Sequence, residues 1–337
     1  MSELAIGVIG TGGMGTRHAV NLQQHVVGAR VAAVYDLDVE RAAAAAKAVG
    51  GARAFSDPRE LIVDPSVDAI VIASPDPTHA EMAVACLQAQ KPVLCEKPLA
   101  TTSAMAREIV EQEVAIGRRL IAVGFMRRFD PAHVAVKRVV ESGQIGRPIL
   151  FKGTSRAGMM PADLPIATIL TNSAIHDLDS ALWMLEHDVQ DVFVRAVRTH
   201  DTFAPEARDL IHISMGLGGP CIADIEVAMA TEYGYDIEAT VVGQSGVAET
   251  IQPDVALVRY QNKKGFTFQI DWLERFQTAY VAELESWVSS LRGGQPFAGA
   301  SAWDGFRASL VADACIEALH SGRPISVHTP PKPDLYA

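Results

Sequence analysis

The sequence has few cysteines, and none of them shows the spacing of metal ligands. The four cysteines among 337 residues stand far apart or in apolar surroundings, at positions 86, 95, 221 and 315. Short Cys-to-Cys spacings of the kind that bind zinc do not occur. We therefore expect free, buried thiols in a chain of the reducing cytoplasm, and we expect no metal site.

The sequence also lacks an excess of basic charge and any long hydrophobic run. Its net charge is -11, with 29 Lys and Arg against 40 Asp and Glu. No basic cluster offsets this charge, so nucleic acid and anionic membrane surfaces are not expected as partners. No apolar run approaches the roughly 20 residues of a membrane span. The N-terminal stretch enters a strand without a signal-peptide pattern, which again favours the cytoplasm.

What the sequence does contain is a glycine-rich turn between an apolar strand at residues 4–9 and a segment with helical spacing. In a G-x-G-x-x-G turn, the first glycine permits a tight turn and the second lets the backbone approach a pyrophosphate. The third lets helix and strand pack closely, while the helix N-terminus attracts the phosphate charge. An ordinary glycine turn is the alternative, and the order of strand, turn and helix disfavours it. The residues expected to contact the cofactor here are Gly10, Gly12, Gly13, Met14 and Gly15.

A second apolar strand, residues 29–36, ends in Asp36. A carboxylate at this place in a dinucleotide-binding unit bonds the adenosine ribose hydroxyls and repels a 2′-phosphate. The sequence therefore predicts NAD rather than NADP as cofactor. The alternative is an ordinary surface aspartate.

Strands and helices continue to alternate up to about residue 125, with apolar stretches at 67–74, 92–96 and 119–125. Repeated strand–helix units with continuous apolar strands predict a parallel sheet covered on both faces, a doubly wound Rossmann domain over residues 1–124. Ligands of such sheets bind at the carboxyl ends of the strands. The side chains that follow strand ends, and are expected to face the cofactor, are Ser74, Pro75, Thr78, His79, Glu96 and Lys97.

Residues 125–337 are predicted to form a second, α+β domain with a large, mostly antiparallel sheet. The predicted strands lie at 148–158, 191–200, 209–217, 221–230, 235–246 and 266–272. Several of them alternate apolar and polar residues, as a sheet with one face on a core requires. Two amphipathic helices close the chain, and an arrangement in which they pack on the first domain stays open.

One long helix, predicted over residues 172–186, interrupts these strands. Its apolar stripe consists of Ile175, Leu178, Leu182 and Leu185. At 100° per residue, Asn172, His176 and Asp179 share the opposite side. Two interpretations stay open: the polar side faces a ligand, or Asn172 caps the helix and the other two are solvated. Trp183 on the polar side favours a covered face.

Together these residues resemble a family of oxidoreductases that includes glucose-fructose oxidoreductase, inositol dehydrogenase and the rhizopine catabolism proteins. The markers of that family are the glycine turn, a Glu-Lys-Pro tripeptide and a polar-x-x-x-His helix. Glu96-Lys97-Pro98 and Asn172 with His176 stand in those places. The likeness to bacterial myo-inositol dehydrogenases covers nearly the whole chain. It is most specific in GFMRRFDPAH, ESGQIG, IHDLD, YGYDIEATVVGQSG, DWLERFQTAYVAEL and SAWDGFRASLVADAC.

The resemblance implies NAD-dependent oxidation of a secondary hydroxyl of a cyclic polyol, with myo-inositol converted to 2-keto-myo-inositol. It also implies a homotetramer assembled through the second-domain sheet. The implied catalytic residues are Lys97, His176 and Asn172. The implied substrate-binding residues are Lys97, Arg127, Ser155, Asn172, Ser173, His176, Asp179 and Tyr235.

Two positions depart from the family pattern. Inositol dehydrogenases usually carry Asp where this chain has Asn172, and often His where it has Ser155. Asparagine still accepts a hydrogen bond but holds no negative charge, and serine leaves more room. Another inositol stereoisomer or a pyranose sugar therefore stays open as substrate.

Loss of a hydroxyl proton during hydride transfer needs a base whose pKa lies near neutrality, which histidine supplies. It also needs a positive group at the nascent alkoxide. We expect His176 to be the base and Lys97 the donor that orients the hydroxyl. A regulator that binds NAD without chemistry is the rival from another class, and the presence of both residues disfavours it.

Overall fold

The structure is a computed structural model that describes residues 3–159, 161, 163–251, 257–269 and 271–337. The chain forms two compact units. The first comprises Met1–Phe129, Thr278–Ser309 and Pro331–Ala337, and the second comprises Asp130–Gln277 and Leu310–Pro330. Among the described residues, no helix has both the length and the apolarity needed to cross a membrane.

The first unit is built on a seven-stranded sheet. In sheet order its strands are Ala300–Ser301, Ile121–Gly124, Val93–Glu96, Ala69–Ile72, Leu4–Ile9, Ala29–Tyr35 and Arg53–Phe55. Only Ala300–Ser301 is antiparallel to its neighbour; the other strands run parallel. The central strands are almost wholly buried, as a sheet covered on both faces requires. The predicted doubly wound Rossmann sheet is confirmed.

Helices connect these strands, and three of the helices begin at a capping side chain. The helices are Gly13–Gln24, Val39–Ala48, Pro58–Val63, His79–Gln88, Ser103–Ile116 and Gln277–Gly293, with single turns at Asp76–Thr78, Met126–Phe129 and Asp334–Tyr336. Asp38, Asp57 and Thr102 each accept a hydrogen bond from a backbone N–H of the helix that they cap. Trp287 belongs to the same core as Val8 and Leu22 of this unit.

The second unit holds another seven-stranded sheet. In sheet order its strands are Val247–Glu249, Asp236–Gly243, Pro148–Arg156, Cys221–Ala228, Leu210–Leu217, Val189–Val197 and Ile325–Ser326. All neighbours are antiparallel except Cys221–Ala228 with Pro148–Arg156. Buried and exposed residues alternate along the strands, so one face packs on a core. The prediction of a large, mostly antiparallel sheet is confirmed.

The helices of the second unit cover one face of this sheet. They are Pro131–Glu141, Ile166–Thr168, a π-helical turn Ile169–Ala174, Ile175–Leu185 and Trp272–Arg275, and Ala302–Ser321 enters this unit from Leu310 onward. The predicted stripe of the long helix is buried, from Ile175 to Leu185.

One predicted strand, 266–272, is wrong. Residues 266–269 form no strand, Ile270 lies outside the described residues, and Trp272 begins a helix. Asp271 caps that helix by accepting a hydrogen bond from the Glu274 amide at 3.0 Å. A short hairpin, Val258–Tyr260 with Lys263–Gly265, precedes it.

Candidate active site

The glycine turn of the first unit has the strained, close-packed backbone that only glycine permits. Gly10 has φ +86°, and a Cβ there would lie 2.4 Å from the Ser74 nitrogen. A Cβ on Gly15 would lie 1.7 Å from the Gly10 carbonyl oxygen. By contrast, Gly12 and Gly13 have no atom within 4 Å of a Cβ, so their surface stays open. This open backbone at a helix N-terminus fits a pyrophosphate.

Asp36 lies beside this turn and is almost buried. Its carboxylate accepts hydrogen bonds from the Thr11 amide at 2.7 Å and hydroxyl at 3.1 Å, and from the Asp38 amide at 2.9 Å. Burial acts to raise the pKa of Asp36, but these bonds outweigh burial and the pKa is lowered. The carboxylate is therefore ionised and fixed where the ribose of a dinucleotide is expected.

An open cavity of about 660 Å³ adjoins the turn and is lined by Thr11, Gly12, Gly13, Thr16, Arg17, Val20 and Arg41. Half-exposed Arg41 also comes within 3.6 Å of Asp36. Sequence reasoning missed both arginines. The signal available for Arg17 was its place in the first helical turn after the glycines, where a cation would meet phosphate charge.

The predicted residues that follow the strand Ala69–Ile72 are hydrogen-bonded to one another and to nearby backbone. The Thr78 hydroxyl donates to the Pro75 carbonyl at 2.8 Å and lies 2.6 Å from the Ser74 hydroxyl. His79 is buried, and its ring nitrogens lie 2.7 Å and 2.8 Å from the carbonyl oxygens of Pro98 and Ser74. Its side chain thus ties two strand ends together and does not lie at an open surface.

Glu96, the last residue of Val93–Glu96, turns its side chain inward. One carboxylate oxygen lies 2.7 Å from Nε2 of buried His18, and the other accepts from the Lys97 amide at 3.2 Å. Burial acts to raise the pKa of Glu96, but the His18 bond and the nearby positive groups outweigh it, so the pKa is lowered. Glu96 is therefore an ionised, internal carboxylate.

Lys97 follows this carboxylate at the carboxyl edge of the sheet and is half-buried. Burial lowers its pKa; Glu96 and Asp76 act to raise it, and Arg127 lowers it further. Arg127 is itself buried in the turn Met126–Phe129. A lysine with a lowered pKa at this edge suits exchange of a hydrogen bond or a proton with a substrate oxygen.

In the second unit the predicted polar helix face lies at a change of helix type. Asn172 and Ser173 belong to the π-helical turn Ile169–Ala174, and His176 lies in the first turn of the α-helix that follows. Asn172, Ser173 and His176 are half-buried, whereas Asp179 is buried. The interpretation that Asn172 caps a helix and Asp179 is solvated is therefore wrong. Widened turns of this kind are frequent at functional sites.

Ser155 is buried and donates a hydrogen bond to the Asp177 carboxylate at 2.6 Å. A Cβ on Gly153 of the same strand would lie 3.1 Å from the other Asp177 oxygen. The helix carboxylate thus packs directly on the strand Pro148–Arg156. Sequence reasoning missed Asp177, because the stripe of apolar neighbours gave no sign that a carboxylate faces the sheet.

Tyr235 is half-buried beside the strand Asp236–Gly243. Its amide donates to the Gln269 carbonyl at 3.0 Å, and its ring meets the buried Phe276 ring edge-on at 6.3 Å. Phe276 adjoins a buried cluster in which Asp130 accepts from Arg275 at 2.7 Å and lies 2.6 Å from Nδ1 of His133. The Tyr235 ring thus packs on Phe276, which is in turn packed beside the buried ionic cluster of Asp130, His133 and Arg275.

The predicted residues fall into two groups, one in each unit. The first consists of the glycine turn, Asp36, Ser74, Pro75, Thr78, His79, Glu96, Lys97 and Arg127. The second consists of Ser155, Asn172, Ser173, His176, Asp179 and Tyr235. The described part of the chain contains no group of three His, Cys, Asp or Glu side chains arranged to hold a metal ion.

Comparison with known proteins finds matches to both halves of the chain. The NAD-binding Rossmann-fold model of an oxidoreductase family matches residues 4–125, and the C-terminal alpha/beta domain model of that family matches residues 137–327. The chain belongs to the GFO/IDH/MocA oxidoreductase family. This oxidoreductase therefore uses NAD, for which the residues of its glycine turn and Asp36 are suited.

Several relatives of this oxidoreductase are inositol dehydrogenases by name. Inositol 2-dehydrogenase of Rubrobacter xylanophilus is 44% identical, over 99% of this chain and 96% of the relative. Inositol 2-dehydrogenase 2 of Saccharopolyspora erythraea is 42% identical, over 98% of each chain. Myo-inositol dehydrogenase of Lactobacillus casei, solved with NAD(H) and myo-inositol, has a TM-score of 0.95 at 27% identity, covering 99% of this chain and 100% of that one.

Cofactor preference is expected to depend on Asp36. Asp36→Ser should narrow the preference for NAD over NADP by about tenfold or more, because a carboxylate repels a 2′-phosphate at short range by more than about 1.4 kcal/mol. The measurement is kcat/KM with each dinucleotide. Asp38→Ser is the matched control: it removes the same charge two residues away and keeps a good helix cap. An unmodified protein that uses both cofactors equally would contradict the role of Asp36.

Proposed function

We propose that this oxidoreductase oxidises a secondary hydroxyl of a cyclic polyol with NAD, and that the polyol is myo-inositol, giving 2-keto-myo-inositol. The observation that carries the proposal is Lys97. Its pKa is lowered by burial, and it follows Glu96 at the strand edge where a dinucleotide-binding sheet holds its ligands. Full-length similarity to named inositol 2-dehydrogenases supports the substrate class.

The chemistry follows from what the named side chains do to a hydroxyl group. In the proposal His176, half-buried at the start of its α-helix, accepts the hydroxyl proton. Lys97 donates a hydrogen bond to the same oxygen and stabilises the negative charge that develops on it. The dinucleotide, when bound, supplies the hydride acceptor. The glycine turn would hold its pyrophosphate and Asp36 its ribose.

The remaining predicted contacts are proposed to orient the polyol ring. Arg127, Ser173, Asp179 and Tyr235 offer donors and acceptors to hydroxyl groups. Asn172 lies four residues before His176 in one continuous helical segment, so the two side chains are neighbours on its surface. We propose that Asn172 shares a substrate hydroxyl with the reacting pair. Ser155 is a substrate contact in the proposal only if the polyol reaches its buried hydroxyl.

Asn172 and Ser155 also support a second candidate substrate, another inositol stereoisomer or a pyranose. The amide at 172 is a weaker acceptor than a carboxylate, and bonds to charged groups are roughly twice as strong as neutral ones. A substrate whose hydroxyl at that point is absent or differently directed would therefore lose less here than in an enzyme with aspartate.

The proposed function is tested by NADH formation from a panel of inositol isomers and common pyranoses. We expect the highest kcat/KM with myo-inositol, and the reaction mixture without protein is the blank. A pyranose ranked first would assign the second candidate. If the protein turns over none of the polyols and sugars in the panel, the proposal is overturned.

Asn172→Asp is expected to change the pH profile and the substrate ranking together. A carboxylate beside His176 favours the charged imidazole, so the pKa of that histidine should rise and the acidic limb of kcat/KM should move to higher pH. A substrate with a hydroxyl directed at residue 172 should gain relative to one without it. Asn172→Ala, which removes the acceptor but adds no charge, is the control and should leave the pH limb in place. If Asn172→Asp changes neither property, residue 172 does not touch the reaction.

We also propose that the chain assembles as a homotetramer in the cytoplasm. Support for assembly comes from exposed apolar side chains on the strands of the second unit, among them Val197, Ile222 and Val247. Support for a reducing compartment comes from the four cysteines, which are all free and buried. Light scattering on the purified chain tests the assembly against the 36.1 kDa mass of one chain.

A further inference from the structure

His18 is a buried titratable residue that the proposed mechanism does not use. It lies on the helix Gly13–Gln24, directly after the glycine turn, and is fully buried. Its Nε2 lies 2.7 Å from Glu96, which is 78 residues later in the chain. An ionised carboxylate only accepts hydrogen bonds, so Nε2 carries the proton and donates to Glu96. The contact links the glycine-turn helix to the strand that ends before Lys97.

The surroundings are shaped for this contact. Gly124 pairs with Glu96 across the neighbouring parallel strand, and a Cβ on Gly124 would lie 3.2 Å from the Glu96 carboxylate. The Tyr280 ring meets the His18 ring edge-on at 5.9 Å. Among the described residues, no hydrogen-bond partner reaches Nδ1 of His18. Among the described residues, Glu96 is therefore the hydrogen-bond partner of the imidazole.

The contact between His18 and Glu96 bears on the pKa of Lys97, because Glu96 is one of the charged groups beside the lysine. Glu96 faces His18, Lys97 and His79, whereas Lys97 faces Glu96, Asp76 and Arg127. Burial alone would raise the pKa of Glu96, and the His18 bond is the largest opposing influence. Without that bond, the pKa of Glu96 would be higher and its carboxylate would not be fixed by His18. Lys97 is protonated more readily beside an ionised, fixed Glu96, because Glu96 and Asp76 are the two carboxylates that raise its pKa.

We propose that His18 is a positioning residue that acts through Glu96: it fixes the ionised carboxylate beside Lys97 and so couples the glycine-turn helix to the lysine. The catalytic meaning of this coupling rests on the proposed function, whereas the coupling itself does not. His18 and Glu96 then act by one route, and loss of either has the same effect on Lys97.

The test is the pH dependence of chemical labelling of Lys97 in the full chain, read by peptide mass spectrometry. Glu96→Gln should lower the labelling midpoint of Lys97 by about one pH unit, the order of shift that a nearby opposite charge causes. His18→Asn, whose amide is too short to take the place of Nε2, should lower it in the same direction. The amide nitrogen of His18→Gln reaches the position of Nε2, so this variant should have the same Lys97 labelling midpoint as the unmodified protein. Combining His18→Asn with Glu96→Gln should add nothing to Glu96→Gln.

His25→Gln is the matched control, because His25 is exposed at the other end of the same helix. It should leave the midpoint unchanged. A midpoint that stays in place in Glu96→Gln, or that moves in Glu96→Gln but not in His18→Asn, overturns the proposal. If His18→Asn does not fold, a midpoint in His18→Gln that falls as far as in Glu96→Gln also overturns it.

Labelling needs neither substrate nor turnover, so failure of the proposed function leaves this result interpretable. In a protein that does oxidise a polyol, the limb of the kcat pH profile that reports Lys97 should move with the labelling midpoint. A drop in kcat without such a movement would show that His18 only stabilises the fold, and this outcome also overturns the proposal.

Discussion

Alanine at Lys97 or at His176 is expected to lower kcat at least about a hundredfold, which corresponds to about 2.7 kcal/mol of transition-state stabilisation. His176 is proposed to accept the proton, and a positioned general base contributes roughly 10² to 10⁴ in rate. Lys97 is proposed to stabilise the developing oxyanion, and removal of one such donor costs roughly 10² to 10³. Neither residue belongs to the glycine turn, so the Kd for NAD should change by less than about threefold, or about 0.7 kcal/mol.

The measurement pairs single-turnover rates with NAD titration of the same preparations. Lys47→Ala and His25→Ala are the controls, because both side chains are exposed and lie outside the candidate site. A Lys97 or His176 variant that keeps more than about a tenth of kcat, a barrier change below about 1.4 kcal/mol, would contradict its assigned role.

Gly15→Ala is expected to weaken cofactor binding strongly and to lower thermal stability. A Cβ at this position would lie 1.7 Å from the Gly10 carbonyl oxygen, and a backbone oxygen cannot rotate away as a side chain does. The turn must open, which displaces both the amides proposed to meet the pyrophosphate and the packing of the helix on its strand. We expect NAD binding to weaken by at least about a hundredfold, or about 2.7 kcal/mol.

Gly12→Ala separates the two causes. Apart from its neighbours along the chain, no described atom lies within 4 Å of a Cβ there, so the melting temperature should stay near that of the unmodified protein. NAD binding should still weaken, because the added methyl group occupies the surface that the pyrophosphate is proposed to approach. Unchanged NAD affinity in Gly15→Ala would show that the glycine turn does not form the cofactor site.

The Rossmann sheet was predictable because its strands are short, apolar and separated by helices. The alternation of apolar runs with helical segments therefore indicates both the order of the strands and their burial. The position of Lys97 followed from the same pattern, since it comes directly after the strand Val93–Glu96. The contact of His18 with Glu96 did not follow. Periodicity shows that a residue is buried, but not which partner it meets 78 residues away.

The sequence pattern predicts that the His176 helix begins at residue 172, which is six residues too late. The helical segment begins at Ile166, after Pro165, and continues through the π-helical turn into Ile175–Leu185. Its first residues include β-branched Ile166, Thr168 and Ile169, which have low intrinsic helix propensity. The sequence therefore gives little indication that the helix begins there. Asn172 therefore falls inside the segment and not at a helix end.

Two further differences arise where a polar side chain serves the structure. His79 follows a strand end, as cofactor-facing residues do, yet its ring bonds the carbonyls of Ser74 and Pro98. Asp271 in the predicted strand 266–272 instead caps the helix Trp272–Arg275. In both cases a local hydrogen bond to the backbone outweighed the pattern of neighbouring residues.

Hydride transfer from a ring carbon of the polyol to NAD is tested most directly by isotope transfer. Myo-inositol carrying deuterium on carbon 2 is incubated with the protein and NAD, and the reduced cofactor is analysed by mass spectrometry. We predict that the NADH carries the deuterium and that 2-keto-myo-inositol accumulates in equal amount. NADH that contains only protium, or no NADH from any inositol isomer, would contradict the assignment.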